Sequence, residues 1–213
     1  MEVTVEVGDF QAFLQKAVWL AAAGYWHAGV TARPLAKVDR WPAIDQKLLD
    51  RYPVLGLDKY RRAYRKRKGL LNAHLLRHGH QQLILCTEGR DDCGLRSQER
   101  LQDARKVPIR LVLPGQKLFI AVAPLEGHWT VRLARDSLIL LLAWATELGR
   151  KATLEQAIRE WAELDRRLPG WRGLIRDKRR ILKKLLEESR RAGKKWPMKQ
   201  FPLTTYRRYA KAA

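Results

Sequence analysis

Glu88, Asp91 and Asp92 follow directly on the apolar run 82–87 (QLILCT). Carboxylates gathered at a strand end are a common way to hold Mg²⁺ for phosphodiester cleavage, and Glu6 of an N-terminal strand would extend the set. The E-x-K that completes a restriction-type site is missing, because Gly89 and Arg90 come next, and EGRDDCG also reads as a solvated loop. A second set, His74, His78 and His80, offers imidazoles for metal binding or for acid–base work on RNA. Gly79 lies between the last two, where a turn would separate their rings, so turn residues or phosphate partners are the simpler reading. Either set would make the chain a metal-dependent endonuclease or an RNA-processing enzyme, with Mg²⁺ as cofactor in the first case. Otherwise the sequence implies no cofactor.

The charge pattern speaks more clearly. The formal net charge of +21 lies almost wholly in two segments. Residues 59–68 (KYRRAYRKRK) carry seven Lys/Arg and no acid; residues 166–213 carry seventeen against three. Self-repulsion concentrated in this way is relieved by a polyanion, so RNA or DNA is the expected partner, with an acidic protein or an anionic membrane surface as the alternative. In the first segment Arg61, Arg62, Arg65, Lys66, Arg67 and Lys68 surround Tyr60 and Tyr64; guanidinium groups grip phosphate bidentately and tyrosine rings stack on unpaired bases. In the second, Arg172, Arg176, Arg179, Arg180, Lys183, Arg190 and Arg191 share a helix with Leu174, Ile175, Ile181, Leu182, Leu185 and Leu186. That spacing separates a cationic face from an apolar one. Lys194, Lys195, Arg207 and Arg208 continue the charge into a terminal arm, in which Trp196 beside Pro197 reads as an anchor to the core. Interleaved aromatics favour RNA slightly, whereas the helix at 172–192 would also suit a duplex groove. A component of a ribonucleoprotein, or of a mobile-element or defence system, fits this pattern.

The pentapeptide His74-Leu-Leu-Arg77-His78 resembles the H-x-L-R-H box of tyrosine recombinases. The resemblance implies that His and Arg hold a scissile phosphate and that Tyr206 or Tyr209 of the terminal TTYRRY attacks it. The tyrosines lie about 130 residues beyond the box, against a few tens in that family. The box also falls in a strand-like stretch instead of opening a helix, so the likeness ends with five residues. Phosphate-binding glycine loops of the G-x-x-x-x-G-K-[ST] and G-x-G-x-x-G types are absent, which argues against a nucleotide-driven motor.

Hydrophobic residues make up 46% of the 213, eight of them Trp, enough to bury a core. Two cysteines, Cys86 and Cys93, cannot form a disulfide framework and suggest a reducing, intracellular setting, cytoplasmic or nucleoid-associated. The acidic opening does not read as a secretory signal, and the apolar run 137–146 is about half a membrane span.

These candidates need positioning elements. Alternation predicts strands over 2–7, 25–31, 109–113, 117–122 and 129–133, with a hairpin from 70–76 to 82–87 turned at His78-Gly79-His80. Helices are predicted over 10–23 behind the Asp9 cap, over 42–52 behind Pro42, and as a short surface helix at 97–106. Residues 59–68, lacking apolar periodicity, read as a basic loop. From 136 onward the pattern is helical (136–148, 153–164 and 172–192), with Gly149 and Pro169-Gly170 as stops and Thr153–Gln156 as a capping box. The fold class is α+β: a mixed, mostly antiparallel sheet with interspersed helices over 1–135, then a helical, basic part over 136–213.

Overall fold

In the computed structural model, which describes residues 6–204, Asp9 begins the first helix by accepting the amides of Gln11 (3.2 Å) and Ala12 (3.1 Å). The helix, α1 (Phe10–Ala22), buries Phe13, Leu14, Ala17, Leu20 and Ala21 along one face, as its 3–4 spacing requires. The first of two compact units comprises residues up to Pro114 together with Val122–Trp129. Its sheet runs β2-β3-β1-β4, all antiparallel. The strands are β1 (His27–Ala32), β2 (Ala73–His78), β3 (Gln81–Cys86) and β4 (Gln102–Asp103). Every residue of β3 is buried, so its apolar stretch Leu83–Cys86 shows no alternation, and Gln81 and Gln82 are buried beside it. The β2–β3 hairpin turns at Gly79-His80 as expected, with Gly79 at φ 52°.

Helix α2 (Trp41–Arg51) carries Pro42 in its first turn, where no amide donor is needed. It supplies Asp45, a buried carboxylate held between Arg33 Nη2 (2.6 Å) and Arg77 Nε (2.9 Å). Glu6 closes on the other side of Arg77 (2.8 Å) and forms a parallel bridge with it; the remainder of the predicted strand 2–7 lies largely outside the described residues.

Two expectations in this unit need correction. Residues 59–68 are not a loop: α3 spans Lys59–Arg67, and the Asp58 carboxylate caps it by accepting the amides of Tyr60 and Arg61 (both 2.8 Å). Lys, Arg and Ala are good helix formers, and no apolar stripe is needed because no residue of α3 is buried. The surface helix over 97–106 is instead one turn, α4 (Leu95–Gln98), followed by β4. Pairing of Gln102 and Asp103 with β1 overrides the helical propensity.

The second unit comprises Gly115–Ala121 and the residues from Thr130 onward. The remaining strands, β5 (Ile109–Val112), β6 (Phe119–Leu125) and β7 (His128–Leu133), make a three-stranded sheet in that order, and the division between units crosses β6 and β7. Three helices follow: α5 (Arg135–Lys151), α6 (Leu154–Arg167) and α7 (Arg172–Arg191). Thr153 caps α6 by accepting the Gln156 amide (3.3 Å); the Gln156 side chain donates to Glu160 instead of closing a capping box.

Gly149 is not a stop. It is buried inside α5, where an added Cβ would lie 2.7 Å from the Leu185 carbonyl oxygen of α7; the glycine permits two helix backbones to approach closely. Leu174, Ile181, Leu182, Leu185 and Leu186 of α7 are buried as predicted. Lys178, one of the cations counted above, is also fully buried. Its ammonium donates to the carbonyls of Asp165 (2.8 Å) and Leu168 (2.9 Å) and lies 2.8 Å from the Asp165 carboxylate, closing the C-terminal end of α6.

Candidate nucleic-acid interface

A nine-residue helix with no buried face is marginal on its own, so α3 must be tied down by polar contacts. Arg65 donates to the Leu71 carbonyl (2.9 Å) and forks onto Asp92 (2.9 and 2.5 Å). That pairing holds the Asp92 carboxyl below its ordinary value. Asn72 donates from Nδ2 to the Arg62 carbonyl (3.0 Å). Arg62 Nη1 lies 2.9 Å from His74 Nε2. Arg62 and Arg65 therefore face the domain.

The exposed residues of α3 and its C-terminal cap include Tyr60 (74% exposed), Tyr64 (54% exposed), Arg61, Lys66, Arg67 and Lys68, with the two tyrosines turned away from the domain. The two tyrosines lie one turn apart, which places them on one face. Lys59 and Lys68 flank them, with ammonium groups 5.0 Å and 5.9 Å from the ring centres of Tyr60 and Tyr64.

The field around α3 registers on His74. Burial, then the charges of Arg62 and Lys16 (on α1), push its pKa down to about 3. Its ring also packs against Tyr25, 5.0 Å between centres. His74 is thus a neutral imidazole among cations, unsuited to donating a proton at neutral pH. His78 serves packing: its Nδ1 lies 2.8 Å from the Val7 carbonyl, and its ring sits against Phe10 and Phe13. The Arg77 that carries the recombinase likeness is 4% exposed and engaged by Asp45 and Glu6, so it does not face a phosphate.

The three loop carboxylates do not converge. Glu88 pairs with Arg105 (2.6 Å), Asp91 accepts the amides of Leu95 (3.1 Å) and Arg96 (2.9 Å), and Asp92 holds Arg65. Among the described residues no three His, Cys, Asp or Glu side chains are grouped to hold a metal ion. Each of these acids has a local structural task that spacing alone did not disclose.

In the second unit, Arg172, Arg176, Arg179, Arg180, Lys183, Arg190 and Arg191 are all exposed on α7. Their 3–4 spacing draws one cationic stripe about 28 Å long at 1.5 Å per residue. The available counter-charge is largely drawn inward. Glu188 is fully buried and takes Arg150, Lys184 and Arg191 at 2.7–2.8 Å, with its pKa lowered to about 2, first by Lys184. Asp177 accepts the Leu133 amide (2.8 Å). Lys194 belongs to the fold: its ammonium donates to the carbonyls of Arg150 (2.7 Å) and Ala152 (2.8 Å) at the end of α5. Lys195 is exposed, whereas Trp196 packs on the buried Phe201. Arg207 and Arg208, with Tyr206 and Tyr209, lie outside the described residues.

Sequence reading missed the surroundings of Tyr25 and Trp26. Together with Lys66 and Asn72 they line a cavity of about 500 Å³ beside α3. The adjacent aromatics before β1 were the available signal. Among the described residues no helix is long and apolar enough to cross a membrane. No protein-family model, curated protein or solved structure matches the chain.

Proposed function

We propose that the protein binds nucleic acid through the phosphate backbone, with single-stranded RNA as its preferred ligand and α3 as its principal contact. The observation that carries this reading is the outward side of α3. Tyr60 and Tyr64 stand exposed one turn apart among Arg61, Lys66, Arg67 and Lys68, while Arg62 and Arg65 fix the helix from behind. Phosphate contacts from such cations supply affinity with little sequence information, and exposed rings supply sequence-tolerant stacking on unpaired bases. The stripe on α7 is a second cationic surface of the same kind in its own unit. Binding is favoured over nuclease activity because Glu88, Asp91 and Asp92 are engaged separately by arginines and amides. A nucleic-acid partner fits an intracellular setting, as do the unpaired Cys86 and Cys93.

The test is a fluorescence-anisotropy titration with labelled single-stranded RNA, duplex RNA and duplex DNA over a salt series. Tightest binding to the single strand, with log K falling about 0.7 per phosphate contact for each decade of salt, is the expected result. Salt-independent or undetectable binding to all three would refute the proposal.

A further inference from the structure

The cavity beside α3 has features of its own. Its volume of about 500 Å³ falls within the range of small-ligand sites. Gly24, Gly69 and Gly89 are among its lining residues and contribute no side chains to it. Gly89 sits at φ 124°, where an added Cβ would lie 2.9 Å from the Gly69 carbonyl oxygen. Two aromatic residues, Tyr25 and Trp26, also line it. Trp26 carries the Arg105 guanidinium 4.2 Å from its ring centre, which leaves a cation-polarised ring at the site. Tyr25 is fixed against His74. Trp19, 61% exposed, precedes the cavity residues Ala22 and Ala23 by one helical turn on the same side of α1.

The polar groups are of two kinds. Lys66 is a lining cation with no ion pair among the described residues. The others are acceptors. Glu88 has Oε1 held by Arg105 (2.6 Å), leaving Oε2 available. Asn72 has its amide orientation fixed by donation from Nδ2 to the Arg62 carbonyl, and its buried Oδ1 has no hydrogen-bond partner.

A cavity lined by two aromatic residues and three glycines, with a cation and acceptors among its other lining residues, has the chemistry a nucleotide requires: a planar base, an anionic phosphate, and N–H donors on the base edge. Resting on the nucleic-acid-binding reading above, we infer that this cavity receives one unpaired nucleobase of the bound strand, stacked at Tyr25 and Trp26 with its phosphate at Lys66. Glu88 accepts from the amino group of cytosine, adenine or guanine, so uracil, which lacks an exocyclic amino group, binds less well.

The experiment uses the full chain and NMR titrations with CMP, UMP and ribose 5-phosphate, beside an anisotropy control with an oligocytidylate. Saturable shifts at the Trp26 indole N–H and the Gly89 amide are expected. CMP should bind about fivefold more tightly than UMP, the worth of roughly one net hydrogen bond, and ribose 5-phosphate most weakly. Glu88→Gln, which keeps one carbonyl oxygen for Arg105, should narrow the CMP preference without unfolding the protein. Equal binding of all three ligands, or shifts confined to other residues, would overturn the inference. If the oligocytidylate binds normally under that outcome, only the base pocket is refuted. If it fails to bind, the underlying nucleic-acid reading falls as well.

Discussion

Replacing Arg61, Lys66, Arg67 and Lys68 together by Gln isolates the outward charge of α3 from the contacts that hold it. Among the described residues only Arg61 of these four makes an ion pair, with Asp58 at 3.7 Å on an exposed surface, and exposed pairs of that kind contribute little. Lys68 also lies over the Tyr64 ring. The variant should therefore melt within a few degrees of the parent. Binding should respond strongly. If each of the four contacts one phosphate of a single strand, the slope of log K against log salt becomes shallower by about 2.8, at roughly 0.7 per contact. Over a fourfold rise in salt the parent then loses about 50-fold more affinity than the variant. Anisotropy titrations at several salt concentrations, beside thermal melts, read both quantities. Arg62 and Arg65 are left intact because Arg65 clamps Asp92 and the Leu71 carbonyl, so Arg65→Gln should lower the melting temperature. An unchanged salt slope in the fourfold variant would refute the assignment of α3 as the phosphate contact.

Other predictions address stacking, pH and packing. Tyr60→Ala and Tyr64→Ala should each weaken single-strand binding by about 1–3 kcal/mol per base lost from its ring and leave duplex binding nearly unchanged, as parallel titrations would show. His74 has a folded pKa of about 3 against about 6.5 unfolded. The unfolded state therefore binds more protons between these values, and stability is complete above pH 6.5 and declines as pH falls. Denaturant melts should show His74 contributing a loss of about 2 kcal/mol between pH 6.5 and 5, which His74→Gln removes; the smaller decline left in that variant belongs to His27, whose pKa burial also lowers. Gly149→Ala should destabilise by about 1–3 kcal/mol, as overpacking does, because the new methyl meets the Leu185 carbonyl; a neutral effect in a melt would contradict the close approach of α5 and α7.

Much of the fold was legible because its signals are local. Asp9, Pro42 and Thr153 mark helix starts that the structure retains, and the apolar spacing of α7 identified its buried side. The missed features depend on partners remote in sequence. Periodicity failed for α3 because polar tethers, not an apolar stripe, hold it; the Asp58 cap was the sign to follow. Gly149 resembled a stop because its requirement arises from α7, some 36 residues later. Counting cations overstated the exposed charge, since Lys178 and Lys194 cap helix ends. Glu88, Asp91 and Asp92 looked like one cluster because they are sequence neighbours, yet each side chain turns to a different partner.

Photo-crosslinking of the full chain to single-stranded RNA, followed by mass spectrometry of the nucleotide-bearing peptides, tests the central claim most directly. Adducts on Tyr60 or Tyr64 of α3 that disappear with excess unlabelled strand are predicted. A crosslinked complex whose adducts all lie outside residues 59–68, or no crosslinked complex at all, would contradict the account.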